Sequence, residues 1–275
     1  MTFVYVYMCG RLGNQFFQYW VGKYIAYRLN RELKVFINDG LYIDTNIYNK
    51  IGVIRYYDKI VVDNTDHSKG TYYQDINNLE EVIAYHSDTN IPIYINAVHE
   101  DYSLIKKYEL WVKELYTRSP LQSLVCNYSI VIHLRLGDCA NANSNVHNEY
   151  MYLAKMIVNK YTLPVIIVAE EVDHYCTKTL YDALVTNIHN NPVTIANNTI
   201  EEYQKDFDII SSAKVIVATN STMSWWAAFL NPLDPDVYIG LSNRQPQPQR
   251  NYPLFIKESP KDWRLWNLDN NTWIN

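Results

Sequence analysis

Three clusters of polar residues in this chain lie where a strand runs into a helix, and the residue types in all three suit an anionic ligand. The first is "GRLGNQ", Gly10 to Gln15, between the apolar run from Thr2 to Met8 and a segment of helical period. At such a turn unpaired N–H groups and the helix dipole favour negative charge, and Asn14 and Gln15 add side-chain donors. The second, "IHLRLGDC", ends the strand that begins at Tyr128. Side chains alternate along a strand, so His133 and Arg135 project to one face at its carboxyl end, where open α/β sheets bind ligands. Arg135 can fork onto phosphate oxygens, and Asp138 orients that arginine or caps the turn. The third, "DFDIISSAKVIVATNSTMSWWAAFL", sets Asn220, Ser221 and Thr222 between another strand and another helix, again small donors at a phosphate-friendly end. The first two clusters have plain structural alternatives: Gly10 and Gly13 closing a tight turn, and Arg135 pairing with Asp138 to fix its own loop.

Other chemistries fit less well. The first turn lacks the G-x-G-x-x-G spacing of a dinucleotide site, which disfavours nicotinamide and flavin enzymes. Its G-x-x-G core does not sit in the basic, helix-flanked setting of an RNA-clamping loop. Asp206 and Asp208 form a D-x-D pair within a helical segment, where residues two apart point roughly 200° away from each other. They cannot share one ion, so no catalytic metal is expected. Cys9, Cys126, Cys139 and Cys176 show no C-x-x-C spacing and read as reduced thiols of a cytosol-like compartment, two bridges in a secreted protein being the alternative. With 24 basic against 29 acidic residues the net charge is −5, which offers no broad attraction for nucleic acid or an anionic membrane. No apolar run approaches the roughly 20 residues of a membrane span, so a soluble chain without a Golgi-type anchor is expected.

The elements that must position these clusters follow from periodicity. Phe16, Phe17, Trp20, Val21, Tyr24 and Ile25 repeat as one face of a helix, and "LKVFI" (Leu33 to Ile37) is the next strand, a βαβ beginning. Asn38 to Asn90 is weakly patterned. "IPIYI" (Ile91 to Ile95) predicts a strand and Ser103 to Tyr116 one helix. The second half predicts strands at Tyr128–Leu134, Leu163–Ala169, Val193–Ala196 and Lys214–Ala218, alternating with helices near Glu149–Lys160, Tyr175–Ile188, from Thr199, and over "SWWAAFL". Thr199 with Glu202 forms a capping box. Trp225 and Trp226, at helical spacing among Ala227 to Leu230, read as core. "ANANSNVHN", Ala140 to Asn148, is expected to be a loop able to gate a cleft, and Asn243 to Pro253 an extended connection. The class is α/β, two Rossmann-like lobes facing a cleft, residues 1–122 and 123–275, with Arg118 to Asn127 as linker.

Together "GRLGNQFFQYW", "VIHLRLGD" and "DFDIISSAKVIVATNSTMSWWAAFLN" resemble the three signatures of the α-1,2-fucosyltransferases, glycosyltransferase family 11, in the family's order along the chain. The resemblance implies a GT-B-type fold, GDP-β-L-fucose as donor, a glycan or small saccharide acceptor, no required metal or other cofactor, and inversion to an α-fucoside, commonly on a galactose 2-hydroxyl. Carried over by motif, Arg135 contacts the donor diphosphate and His133 the guanine or its neighbourhood. A looser likeness to α-1,6- and protein O-fucosyltransferases gives Asp206 to guanine and Ser221 and Thr222 to phosphate. Gly13 and Asn14 then line the donor end nearest the acceptor. The family's H-x-R-R-x-D has Leu136 in place of its second arginine here, one cation fewer for the leaving diphosphate. A transferase for another GDP-sugar or acceptor, and a non-catalytic glycan-binding relative, are the rival readings.

Overall fold

The computed structural model describes residues 2–8, 12–37, 70–74, 76–96, 102–116, 128–136, 144–187, 191–198, 203–219, 221–241, 259–260 and 262–274. Gly10, Arg11, Asp138, Asn220, the Thr199–Glu202 box, Cys9, Cys126, Cys139, the Arg118–Asn127 linker and the Asn243–Pro253 connection lie outside these residues. The chain divides into two compact units, Met1–Thr117 and Arg118–Asn275.

In the first unit a parallel sheet has the order β2-β1-β4-β3, formed by β1 (Phe3–Met8), β2 (Glu32–Ile37), β3 (Thr71–Tyr73) and β4 (Ile93–Ile95). Helix α1 (Leu12–Arg28) follows β1. Val4, Val6 and Met8 alternate onto one face of β1 and are buried. Gly22 lets α1 come that close, because a Cβ there would lie 2.1 Å from Val6 Cγ2. The opposite face is aromatic: Tyr5, Tyr94 and Tyr72 are register partners across three strands, stacked with ring centroids 4.7 and 4.6 Å apart and nearly parallel ring planes. Lys34 lies over the Phe3 ring at the end of this ladder. Helix α2 (Leu79–His86) is capped by Asn78, whose Oδ1 accepts from the Glu80 amide, and it is tied to α1 by the forked Arg28–Glu80 pair.

Two expectations change here. The weakly patterned stretch contains β3 and α2 in its later part. The single helix expected at Ser103–Tyr116 is two, α3 (Tyr102–Lys106) and α4 (Glu109–Leu115). The break brings the buried Tyr108 ring onto Tyr24 of α1, centroids 4.1 Å apart and 10° from parallel, and the Tyr108 amide turns back to the Ile105 carbonyl. A buried aromatic stack thus prevails over a continuous helical ladder.

The second unit is a doubly wound sheet of order β11-β10-β9-β8-β5-β6-β7. Its strands are β5 (Ile130–Leu134), β6 (Val165–Ala169), β7 (Val193–Ile195), β8 (Val215–Thr219), β9 (Asp236–Leu241), β10 (Arg264–Asn267) and β11 (Thr272–Ile274), all parallel to their neighbours except β11. Renumbered from β5, the first six in chain order run 3-2-1-4-5-6, the dinucleotide-type winding. Ile130, Ile132, Leu134, Val215 and Val217 pack against Tyr150, Leu153 and Ile157 of α5 (Ser144–Val158) and Leu180 and Leu184 of α6 (Tyr175–Asn187). Helices α7 (Tyr203–Ser211) and α8 (Thr222–Phe229) complete the alternation. Helix α5 starts at Ser144, so the expected loop Ala140–Asn148 is helical over its last five residues; the poor helix propensity of its asparagines hid that turn. The aromatic tail, left unplaced by sequence, supplies β10 and β11 to this sheet, and Arg264, Lys160 and Tyr161 converge on the Tyr238 hydroxyl at 2.7, 2.9 and 2.7 Å.

Candidate sugar-nucleotide site

In the second unit the strand order reverses between β5 and β8, and the carboxyl ends of these two strands carry the second and third polar clusters. His133 is the register partner of Ala218, so the strand ends at His133–Leu134 and Ala218–Thr219 lie side by side. This is the switch point at which doubly wound sheets bind ligands.

His133 is buried, on the face of β5 opposite Ile132 and Leu134. Its Nδ1 makes a short hydrogen bond with Oγ of Ser224, a fully buried residue in the first turn of α8. Burial, with the Arg135 guanidinium adding to it, pulls the imidazole pKa down to about 3. His133 is therefore a neutral hydrogen-bonding ring at any working pH, too weak a base to accept a substrate proton. Arg135 is half-buried just past the strand end. Since its neighbour is uncharged, its positive charge is not opposed by a second cation on His133.

Ser221 is the N-cap residue of α8, with extended φ −135° and ψ 121°, yet its side chain makes no capping bond. The first-turn amides of α8 are thus not closed by the residue that usually closes them, and the helix presents N–H groups, the Ser221 hydroxyl and Thr222 at the end of β8. The Thr219 Oγ1, also at this edge, is sealed from solvent without a hydrogen-bond partner among the described residues. An arginine beside an uncapped helix start is a set of donors for a phosphorylated ligand.

Asp206 is buried in the first turn of α7, and its Oδ1 accepts from Asn198 Nδ2 at 2.6 Å, just beyond β7. Asp206 and Asp208 do share one helix, both buried. Trp225 and Trp226 are core: Trp225 stacks on Phe229 with centroids 5.0 Å apart, and Trp226 meets Trp225 edge-on. Leu136 is wholly buried in the cluster that includes Leu134 and Tyr150. The side chain that stands where the resembled signature has its second arginine thus belongs to the core.

In the first unit Gly13 and Asn14 fall within the first turn of α1 rather than in a loop before it, Gly13 buried and Asn14 half-buried. Gln15, expected to donate into a cleft, is fully buried, as is Gln18 one turn on. Sequence reasoning missed Ser224, Tyr150 and Asn198. Ser224 stands three residues after Ser221 on the turn facing β5, a spacing that was a usable signal. Nothing local marks the other two.

No family model and no curated protein matches the sequence. Solved structures do match. The Bradyrhizobium fucosyltransferase NodZ superposes with a TM-score of 0.55 at 13% identity, over 100% of this chain and 98% of that one. NodZ α-1,6-fucosyltransferase soaked with GDP-fucose gives the same score and identity over 84% of this chain and 93% of that one. Arabidopsis thaliana FUT1 in complex with GDP gives 0.52 at 12% identity, over 99% and 78%. The fold is GT-B-type, with two Rossmann-like α/β lobes, and it is the fold of these fucosyltransferases.

Proposed function

We propose that the protein is an inverting glycosyltransferase that moves L-fucose from GDP-β-L-fucose to a glycan hydroxyl, the 2-hydroxyl of galactose in the reading the three signatures suggest. The observation that carries the proposal is the switch point itself: β5, which Arg135 follows, and β8, which the uncapped start of α8 follows, are neighbours there, with a neutral His133 bonded to Ser224 between them. The likeness to fucosyltransferases that hold GDP and GDP-fucose supports the choice of nucleotide and sugar.

In this reading residues 123–275 bind the donor and residues 1–122 the acceptor side. Arg135, the α8 amides, Ser221 and Thr222 hold the diphosphate, with Asn220 and Asp138 beside them in sequence. His133 and Asp206 hold the guanine, while Gly13 and Asn14 line the donor end nearest the acceptor. The acceptor oxygen bonds to the anomeric carbon opposite GDP, and the bond from that carbon to the β-phosphate oxygen breaks. Its electron pair departs with GDP, and the hydroxyl proton goes to a base other than His133. Charge developing on the diphosphate is met by Arg135 and fixed N–H and O–H dipoles, an arrangement that requires no divalent ion and no other cofactor.

The test is incubation with GDP-fucose and a panel of galactosides, with and without chelator, followed by linkage analysis. An α-1,2-fucoside formed in chelator supports the reading. Transfer from a different GDP-sugar would replace the donor, another linkage would replace the acceptor assignment, and absence of GDP binding would reject the site.

A further inference from the structure

The switch point is held from both faces of the sheet. On the His133 side, Ser224 of α8 grips the imidazole. On the other side, Tyr150 of α5 is buried with its ring packed among Ile132, Leu134 and Val217. Its hydroxyl lies 2.9 Å from the His133 carbonyl and 2.9 Å from the Val217 carbonyl. One O–H is thus shared between carbonyls near the carboxyl ends of two neighbouring strands, β5 and β8, whose following helices α5 and α8 pack on opposite faces of the sheet. Beside the ladder and the Ser224–His133 bond, this hydroxyl is a further contact that ties the two strand ends together. The ring is also shaped for: a Cβ on Gly240 would stand 3.2 Å from Tyr150 Cδ2, so the glycine on β9 leaves room for it.

We propose that Tyr150 is a positioning residue for the nucleotide site, its hydroxyl fixing the spacing between the Arg135 end of β5 and the Ser221 end of β8. The inference rests on the reading that a nucleoside diphosphate bridges those two ends. A ligand held from two strands binds best when their separation is preset, because ordering them on binding would cost affinity. The hydroxyl, not the ring, does this, so its removal loosens the ligand site more than it loosens the lobe.

The experiment is GDP titration calorimetry on the full chain and on Tyr150→Phe, Arg135→Lys and the double variant, with thermal melts alongside. Tyr150→Phe is expected to raise the GDP Kd about five- to tenfold while shifting the melt by only a few degrees. The double variant is expected to lose at least about threefold less than the product of the two single losses, since both substitutions act on one diphosphate contact. Site-specific fluorotyrosine at 150, which keeps the donor, is expected to restore wild-type affinity and guards against a Phe variant that fails to fold. Wild-type binding with an unchanged Kd in Tyr150→Phe, or effects that simply multiply, would overturn the positioning role while leaving the site intact. No GDP binding by the wild type would overturn the site and this role together.

Discussion

The two units treat their polar signature residues in opposite ways. In the first, Gln15 and Gln18 on α1 are drawn wholly inside, and the sheet's far face is an aromatic ladder. In the second, His133, Arg135 and Ser221 collect at one sheet edge, linked across strands through Ser224. Polar residues at a strand-to-helix turn can therefore be drawn into a lobe or gathered at the carboxyl ends of its strands, and the proposed ligand role goes with the second arrangement. Both sheets reverse their strand order beside these turns, between β1 and β4 in the first and between β5 and β8 in the second; what the described residues of the second add is a helix start, that of α8, which its N-cap side chain does not close, while in the first α1 is packed closely over β1.

The sharpest way to break this contrast is Arg135→Ala. It should lower transfer by about 100- to 1,000-fold, the usual cost of removing one preorganised charge-stabilising donor, with an unchanged circular dichroism spectrum and melt. Near-normal transfer would remove Arg135 from the site. Conversely, Gln18→Leu in the first unit should leave GDP affinity within twofold and cost about 1–3 kcal/mol in denaturant midpoint measurements, because buried partners lose their hydrogen bonds.

Acid separates the units in a second way. The His133 imidazole takes up a proton in the unfolded chain below about pH 6.5, but in the folded lobe only near 3. Between these values the unfolded state binds more protons, so stability falls as pH drops. At pH 5 this single group should cost about 2 kcal/mol relative to pH 7, an amount absent from His133→Asn. His86 of the first unit is displaced in the same direction by burial and Arg31, so acid weakens both units. GDP should protect only the second, which hydrogen exchange followed by unit can read. The smallest effect is Ser221→Ala: about threefold to tenfold weaker GDP binding, one neutral hydrogen bond's worth, with the amides still in place.

Much of the second unit was legible because β5, β6 and β8 are runs rich in β-branched residues and α5 carries Tyr150, Leu153, Ala154, Ile157 and Val158 at helical spacing; β9, Asp236–Leu241, was not expected from the sequence. The apolar run before His133 was enough to expect it near the carboxyl end of a strand, and β5 ends one residue after it. What sequence could not give was set by contacts distant along the chain. Tyr108 broke its helix to stack on Tyr24, and Leu136 turned into the core beside Tyr150. Tyr150 reached the carbonyl of Val217, 67 positions away. Asn198 found Asp206 only because β7 delivers it beside α7. The C-terminal strands β10 and β11 were unreadable for a different reason: Arg264–Asn267 and Thr272–Ile274 are too short for alternation to show, and they exist by pairing to β9.

The most direct measurement of the central claim is titration of GDP into the wild-type chain and Arg135→Ala, both in excess chelator. Saturable one-to-one binding by the wild type and its loss in the variant are the predicted result. Binding that appears only when manganese is added, or that survives Arg135→Ala unchanged, would contradict a metal-free diphosphate site at the β5–β8 edge.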